Sequence, residues 1–587
     1  MLTRSAFALA IAAFVSSSTL ALAAETPDWI KRSNEDAQPL LKVFGDFGPE
    51  FAARTGVAGY DDKVTQLPPD LNEKFRKAVA EARDGLKAKL AAEKDAQVQQ
   101  DLKIMIEAAT LQIDTSQLNE KYLLPYTNIG QTIFFGEFSL LQDQVDEKRR
   151  PSALTRLNRY TGLEKGYTPL TEQAKAQFEA ALKNKALLGP FKGQVDQDLA
   201  NTASYVDGIR KLYAKYKIAG ADKALDAFDQ QLKDYDAWVK ATVLPHARDD
   251  FKLPPDLYAD NLKNVGLDIA PDALIAKAEL SYGEIRNEMQ AIAPLIAKQH
   301  NLTVTDYRDV IRALKKEQMA REKIETAYHD VIAKIEDIIR REHIVTLPDR
   351  AMNMRIASEA ETAAQPAPHM DPPPLIGNKG ERGTFVLTMG NPGKAGASEG
   401  YDDFNHPYAT WTLTAHEGRP GHELQYAAMV ERGVSLARSL FAFNSVNVEG
   451  WALYAEAETK PYEPLDAQLF ALQARLQRAA RAILDPKINL GRITAERAKE
   501  VLTDEVMLSP GLAQQEIDRY TFRAPGQATS YFYGYTKLME LRADTEITLG
   551  KKFNRQAFND FVIGQGLLPP PLLREAVQTQ FIPSQSK

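Results

Sequence analysis

The sequence contains no cysteine among its 587 residues. This absence excludes disulfide bonds, thiolate metal sites, a cysteine nucleophile, iron–sulfur clusters and lipidation of a cysteine. A tight transition-metal site must therefore use histidine, aspartate and glutamate, and only eight histidines are available. Basic residues do not exceed acidic ones, because the chain has 72 Lys and Arg residues and 79 Asp and Glu residues. The resulting net charge of -7 supplies no general attraction to nucleic acid.

Long apolar runs are also lacking beyond the N-terminus. Residues 1–24 have the pattern of a secretory signal peptide, with Arg4, an apolar run over 6–15 and the small-x-small sequence Ala21-Leu22-Ala23. No later segment approaches the ~20 apolar residues of a membrane span. An uncleaved anchor is the alternative interpretation. We expect a periplasmic or secreted protein that has no stable membrane anchor after signal cleavage.

The rest of the chain is typical of amphipathic helices. One apolar stripe recurs at steps of three and four, and it consists of Ile324, Tyr328, Val331, Ile335, Ile338 and Ile339. Further helices are predicted over 72–120, 171–185, 196–217, 222–243 and 271–293, the first interrupted near Asp114-Thr-Ser116. Alternating strand–helix patterning and a fixed repeat are absent. The sequence therefore predicts a mainly α fold.

Residues 384–389 are the exception, because Thr384-Phe-Val-Leu-Thr-Met389 indicates a short strand. A proline-rich stretch over 364–382 precedes it. We place a soft boundary near 350, between a helical N-terminal region, 25–350, and a C-terminal catalytic region, 351–587, and we expect both to form one body.

The most informative segment brings two histidines within seven residues, His416 and His422, with Glu417 directly after the first. Two imidazoles and a neighbouring carboxylate are the groups that zinc hydrolases use. In the familiar His-Glu-x-x-His helix the two histidines share a face. A spacing of six residues corresponds to a rotation of about 600°, equivalent to 240°, so on a regular helix these histidines would point apart. Pro420-Gly421 predicts a break that could bring them together again. Two unrelated histidines at a helix junction are the alternative.

A second helix with acidic residues follows, Asn447–Glu456. Glu449 and Glu456 are seven residues apart and therefore share a face. Two carboxylates on an otherwise apolar helix are costly unless a metal or hydrogen bonds satisfy them. Glu449 is the candidate third ligand and Glu456 a candidate partner of a histidine, although the reverse assignment stays open.

These motifs resemble the bacterial family known as domain of unknown function 885, which itself resembles the helical gluzincin zinc metallopeptidases. The resemblance rests on three blocks, which are His-Glu-x-x-Pro-Gly-His at 416–422, Glu-Gly-Trp-Ala-Leu-Tyr-Ala-Glu at 449–456, and Pro-Gly-Gln-Ala-Thr-Ser-Tyr at 525–531 followed by Leu-Arg-Ala at 541–543. It implies a large helical body with a deep cleft, Zn²⁺ held by His416, His422 and Glu449, and Glu417 as general base. The chain departs from many members at Glu423, where they have a further histidine.

The third block suggests groups that contact the substrate. The resemblance implies that the Tyr531 hydroxyl stabilises the oxyanion, with Tyr533 and Tyr535 as rivals. Arg542 could hold a substrate carboxylate or form a structural ion pair. His406 is a further candidate for contact with the substrate or with a ligand. In this class the strand at 384–389 would be an edge strand that pairs with extended substrate.

We therefore expect a zinc-dependent hydrolase that cleaves peptide bonds of short peptides by a metal-activated water. One alternative is a zinc hydrolase of non-peptide amides or amino-acid conjugates. Another is an inactive helical binding protein that retains the fold. The substrate, the choice between endo- and exopeptidase, and the oligomeric state are not predicted.

Overall fold

A computed structural model describes residues 26–389 and 402–586. The predicted signal peptide, 1–24, lies outside the described residues. The first third of the chain consists of helices that bury their apolar faces against one another. They are α1 (Asp28–Phe47), α2 (Pro49–Thr55), α3 (Leu71–Ala92), α4 (Ala96–Tyr122), α5 (Ile129–Phe138), α6 (Ser152–Tyr160), α7 (Leu170–Ala181), α8 (Lys192–Lys215) and α9 (Asp222–Trp238).

The predicted interruption near Asp114-Thr-Ser116 is wrong, because α4 continues through it. The break lies instead between α3 and α4, where the Asp95 side chain caps α4 by accepting from the Gln97 N–H. Thr115 stays helical and donates its hydroxyl to Asp260 at 2.7 Å. A polar side chain that could have ended the helix thus has a tertiary partner instead.

Five further helices lead to the middle of the chain. They are α10 (Pro255–Asn264), α11 (Pro271–Gln299), α12 (Tyr307–Leu314), α13 (Arg321–Arg341) and α14 (Glu359–Ala364). All six members of the predicted apolar stripe are buried on α13, which confirms that prediction. The stripe packs α13 against the helices that carry the histidine motif.

A small sheet joins the two halves of the sequence. Its strands are β1 (Asn353–Ile356), β2 (His369–Asp371) and β3 (Thr384–Leu387). The predicted strand is therefore present, but it is the central strand rather than an edge. Among the described residues β1 pairs with it in parallel and β2 antiparallel. Both edges of β3 are occupied, so β3 is not available to pair with extended substrate.

The C-terminal helices form the framework of the site. They are α15 (Ala409–Glu417), α16 (His422–Arg432), α17 (Ser445–Thr459), α18 (Leu465–Asn489), α19 (Ala495–Asp504), α20 (Pro510–Asp518), α21 (Thr529–Leu549), α22 (Arg555–Gly564), α23 (Pro570–Ala576) and α24 (Ile582–Ser586). Asn444, rather than Ser445, caps α17.

The fold is mainly α, as predicted, with only the three-stranded sheet in the described residues. One apolar core contains residues of both halves, from Ala37 on α1 to Trp451 on α17 and Phe581 near the C-terminus. The boundary near 350 stays a prediction. Across the described ranges, no helix has both the length and the apolar character needed to cross a membrane.

Candidate metal centre and cavity

The helix breaks between the two histidines, as Pro420-Gly421 predicted. α15 ends at Glu417 and α16 begins at His422. The Trp451 indole N–H donates to the backbone oxygens of Pro420 at 2.9 Å and Gly421 at 3.3 Å, which ties the break to α17. The rings of His416 and His422 consequently lie 4.8 Å apart, at an interplanar angle of 80°.

Glycine is required at the end of this break. A Cβ atom on Gly421 would lie 2.0 Å from the backbone oxygen of His416 and 2.4 Å from that of Ala415. Both contacts are with backbone atoms that cannot swing away. The close return of the chain is therefore what allows a six-residue spacing to bring the two imidazoles together.

α17 brings Glu449 to the histidine pair. Its Oε2 lies 3.4 Å from Nε2 of His416 and 3.4 Å from Nε2 of His422. Ligand atoms at the corners of a tetrahedral zinc site, with bonds of about 2.0–2.1 Å, are separated by about 3.3–3.4 Å. The two distances from Glu449 thus match the spacing of zinc ligands.

Glu417 also faces the histidines. Its Oε1 is 3.9 Å from Nε2 of His416, and His416, Glu417 and His422 offer ligand atoms that all lie within 4.8 Å of one another. Oε2 of Glu417 and Oε2 of Glu449 are both buried without a hydrogen-bond partner among the described residues. Two buried carboxylate oxygens left in this way are expected where a cation is to be bound. Only Glu449 is placed equally between both Nε2 atoms, which makes it the better-placed candidate for a third ligand.

Glu456 lies on the opposite side of His416. Its Oε1 accepts a hydrogen bond from His416 Nδ1 at 2.7 Å, and its Oε2 accepts one from the Thr412 hydroxyl at 2.7 Å. A carboxylate bound to Nδ1 directs Nε2 toward the metal position. His422 differs, because its Nδ1 has no hydrogen-bond partner in the described part of the chain.

The charges of this cluster support one another. Burial alone would raise the pKa of the Glu449 carboxyl, but the neighbouring His416 and His422 imidazoles hold this pKa well below its usual range. Burial alone would lower the pKa of His416, yet Glu449, Glu456 and Glu417 raise it to about 9. The His416 ring therefore carries a proton at neutral pH, stabilised by the surrounding carboxylates.

A cavity that is partly open to solvent lies beside the histidine pair. His416 and Glu417 form part of its wall, and Tyr531 on α21 lies across from them. The Tyr531 and His416 rings are 6.2 Å apart and nearly parallel, at 12°. Burial and the charge of Glu449 raise the pKa of the Tyr531 hydroxyl, which therefore stays protonated and able to donate.

Close helix packing places Tyr531 here. A Cβ atom on Gly534 would lie 1.9 Å from the Val446 backbone oxygen, and one on Gly450 would lie 2.5 Å from the Gly534 carbonyl carbon. Glycines at both positions let α21 approach α17 backbone to backbone. The helix with Tyr531 and the helix with Glu449 are thereby held against each other.

The other predicted residues do not line this cavity. Arg542 donates to Glu458, Glu546 and Tyr454, which places it in an ion network. The Tyr535 ring packs beneath the Arg475 guanidinium, and the Tyr533 hydroxyl bonds to Asp268.

His406 is buried behind the cavity, against the Phe470 ring at a centroid distance of 4.4 Å. Burial and the positive charge of Lys315 lower its pKa to about 3. His406 is consequently neutral in this environment.

Sequence analysis missed three arginines of the cavity wall, Arg478 and Arg481 on α18 and Arg519 after α20. The sequence did contain one indication of two of these arginines. Arg478 and Arg481 lie one turn apart in an alanine-rich, largely buried helix, where unpaired charge is costly. Arg519 gives no such signal, because only the fold brings it beside Tyr531.

Solved structures share this fold. The chain resembles a "putative lipoprotein" from Colwellia psychrerythraea, with a TM-score of 0.75 and 18% identity over 95% of this chain and 99% of that one. It also resembles a "putative lipoprotein of unknown function" from Shewanella oneidensis, with a TM-score of 0.69 and 20% identity over 94% of this chain and 100% of that one. No curated protein sequence matches the chain. The family profile described as "Bacterial protein of unknown function (DUF885)" matches residues 49–577, and the chain therefore belongs to this bacterial family.

Proposed function

We propose that the protein is a zinc-dependent hydrolase that cleaves the peptide bonds of short peptides. One observation carries the proposal. An unpartnered buried oxygen of Glu449 lies 3.4 Å from the Nε2 atoms of both His416 and His422, beside a cavity that Glu417 also lines. Three neutral or anionic donors in this arrangement, with a free carboxylate nearby, match the requirements of a catalytic zinc site.

His416, His422 and Glu449 would hold the zinc, which when bound supplies a Lewis acid and lowers the pKa of water toward ~7. Glu456 keeps His416 in the tautomer that presents Nε2. Glu417 accepts a proton from the attacking water at Oε2, the oxygen that has no other partner, and then delivers it to the leaving amine. Its position next to His416 in the cavity wall allows both transfers.

Tyr531 supplies the remaining group. Its protonated hydroxyl donates to the carbonyl oxygen of the scissile amide as negative charge develops there. The cavity is only partly open to solvent, which favours short peptides over folded proteins.

The relation to gluzincins and the export of the enzyme belong to the same proposal. The gluzincin resemblance implies two histidine ligands and a glutamate from the following helix, and this chain differs in the break between the histidines. Residues 1–24 would direct the enzyme to the periplasm or the medium. Fractionation of cells that express the full chain tests the export.

The decisive test is Glu417→Gln. We expect this variant to bind one zinc per chain with unchanged affinity and to lose at least 100-fold in hydrolysis of short peptides, because the amide cannot accept the proton. Zinc is measured by metal analysis after dialysis and hydrolysis by release of free amines. Glu325→Gln, an exposed carboxylate on α13, is the control and should behave as wild type.

Two results would contradict the proposal. Full activity in Glu417→Gln would show that Glu417 is not the general base. Less than half a zinc per wild-type chain would favour the alternative of an inactive binding protein. If the zinc-loaded enzyme cleaves N-acyl conjugates and no peptide, the alternative hydrolase of non-peptide amides is correct.

A further inference from the structure

Three arginines gather around the Tyr531 ring in the cavity. The guanidinium carbon of Arg481 lies 4.4 Å from the ring centroid, and those of Arg478 and Arg519 lie 5.9 Å from it. All three line the cavity together with His416 and Glu417. The part of the wall around Tyr531 is therefore cationic.

Arg481 is already neutralised. It donates to both carboxylate oxygens of Glu516, at 2.7 and 2.6 Å, and Glu516 also accepts from the Tyr520 hydroxyl at 2.8 Å. This two-pronged buried pair leaves no charge over for a ligand. It holds the Arg481 side chain against the Tyr531 ring and has a structural role.

Arg519 and Arg478 are not neutralised in this way. In the described part of the chain the only hydrogen bond of the Arg519 side chain goes to the Tyr531 hydroxyl, at 3.3 Å, and this side chain forms no ion pair with a carboxylate there. Arg478 is only 9% exposed, yet its Nε has no partner among the described residues. Its contact with Glu456 is long, at 3.5 Å, and Glu456 already accepts from His416.

Arg519 has no carboxylate partner among the described residues, and Arg478 shares Glu456 with His416. Guanidinium groups that are neutralised this weakly in a cavity wall are suited to an anionic ligand. A guanidinium is planar and presents paired N–H groups that match the two oxygens of a carboxylate. Leu413, Phe470, Leu508 and Leu512 line the same cavity and would receive an apolar side chain beside that carboxylate.

The distances limit where the carboxylate lies in the substrate. The Tyr531 ring centroid lies 6.2 Å from the His416 ring and 5.9 Å from the Arg519 guanidinium. The His416 ring and the Arg519 guanidinium are therefore at most about 12 Å apart, which is the span of three to four extended residues. The substrate must fit between these two groups, which shortens the available span further. In an extended substrate the scissile amide would therefore lie within about three residues of the carboxylate.

We propose that the cavity selects substrates with a free carboxylate on the amine side of the scissile amide, held by Arg519 and Arg478. The inference rests on the proposed hydrolase function and deepens it to an exo-acting enzyme. Short peptides cut near the C-terminus and N-acyl amino acids share this chemistry. A capped or amidated terminus removes the anion and, with it, the contact to both arginines.

The experiment compares matched acids and amides. Zinc-loaded wild type is offered acetyl-Ala-Phe and its C-terminal amide, and acetyl-Phe and its amide, which distinguish the peptide from the N-acyl amino acid. We expect at least a tenfold higher kcat/KM for the acids. Binding of the same probes to zinc-loaded Glu417→Gln by calorimetry should show the acids at least tenfold tighter, independently of turnover.

Arg519→Gln and Arg478→Gln should each reduce this preference at least fivefold, mainly through KM for the acids. Arg523→Gln is the matched control, because Arg523 lies four residues beyond Arg519, donates to Gln197 and does not line the cavity. It should retain the preference. Equal loss of acid and amide turnover in Arg519→Gln would mean that Arg519 acts only through Tyr531, and this would overturn the inference.

Acids and amides that bind within threefold of each other, or that show no binding at all, would also overturn it. A separate result bears on the enzyme itself. If Glu417→Gln prefers the acids but zinc-loaded wild type cleaves none of the probes, the carboxylate site stands and the proposed hydrolase function fails.

Discussion

Two carboxylates on α17 take different parts in the site. Glu449 faces Nε2 of both histidines, whereas Glu456 bonds to the far nitrogen of His416. Seven residues of helix bring both side chains to one face, and the position of His416 between them decides their roles. Spacing alone could not distinguish Glu449 from Glu456 as the candidate third ligand, because both lie on the same helical face.

Glu456→Gln should weaken zinc binding about 10- to 100-fold, since an amide holds the His416 Nδ1–H less strongly and makes Nε2 a poorer donor. Competition with a chelator measures the dissociation constant. Glu463→Gln is the control, because burial raises the pKa of Glu463 to about 7 and this side chain accepts from Thr459 rather than from a histidine. Equal zinc affinity in both variants would contradict the assigned role of Glu456.

Zinc binding should release a proton from His416. The surrounding carboxylates raise the pKa of the metal-free ring to about 9, so the ring is charged at neutral pH. Zinc requires the neutral ring, and the raised pKa therefore makes the proton a stronger competitor below pH 9. We expect apparent affinity to rise about tenfold per pH unit from 7 to 9 and then to level off. Calorimetry in buffers of different ionisation enthalpy would show no proton transfer if this prediction is wrong.

At the scale of elements, the break between α15 and α16 creates the site. The two helices contribute one histidine each, and the Trp451 indole on α17 holds the turn between them. A regular helix through this segment would direct His416 and His422 about 240° apart. The break is thus a requirement of the proposed metal centre.

Gly421→Ala should disrupt the break, because the added Cβ meets the His416 backbone oxygen at 2.0 Å. We expect at least a tenfold loss of zinc affinity and a free energy of unfolding lower by about 1–3 kcal/mol. Gly85→Ala is the control. Gly85 lies inside α3 with open space around it, and alanine there should stabilise by about 0.5–1 kcal/mol. Intact zinc binding in Gly421→Ala would show that the turn tolerates a side chain.

For the whole molecule, the two halves of the chain share one apolar core and buried polar contacts. Arg438 lies just before α17, yet its guanidinium donates to Asp101 on α4 at 2.8 Å and to Gln565 at 3.2 Å. Both charged side chains are almost fully buried. This pair joins segments separated by more than 300 residues, and the halves should therefore unfold together.

Asp101→Ala leaves the Arg438 charge buried without its partner and should lower the free energy of unfolding by about 3–5 kcal/mol. Circular dichroism and tryptophan fluorescence during urea unfolding should give one coincident transition, shifted to lower urea. Asp84→Ala, on the exposed surface of α3, should leave the midpoint unchanged. Two separate transitions in the wild type would indicate independent domains divided near 350.

Helices with a strong apolar period were predictable from the sequence. The buried stripe of α13 and the break at Pro420-Gly421 both depend on local geometry, which nearby residues determine. The interruption assigned to 114–116 failed because Thr115 finds a partner on α10. The strand at 384–387 was recognised, but its central position depends on β1 and β2, which lie elsewhere in the chain.

The sequence by itself determined the helical class, the histidine pair with its break and the two acidic positions of α17. These features follow from backbone periodicity and from the conformational limits of proline and glycine. Only the tertiary structure decided which carboxylate faces the histidines, that Tyr531 rather than Tyr533 or Tyr535 lines the cavity, and that Arg478 and Arg519 lie beside it. The physical reason is that these contacts join helices far apart in sequence, and packing between them sets distances that no local pattern contains.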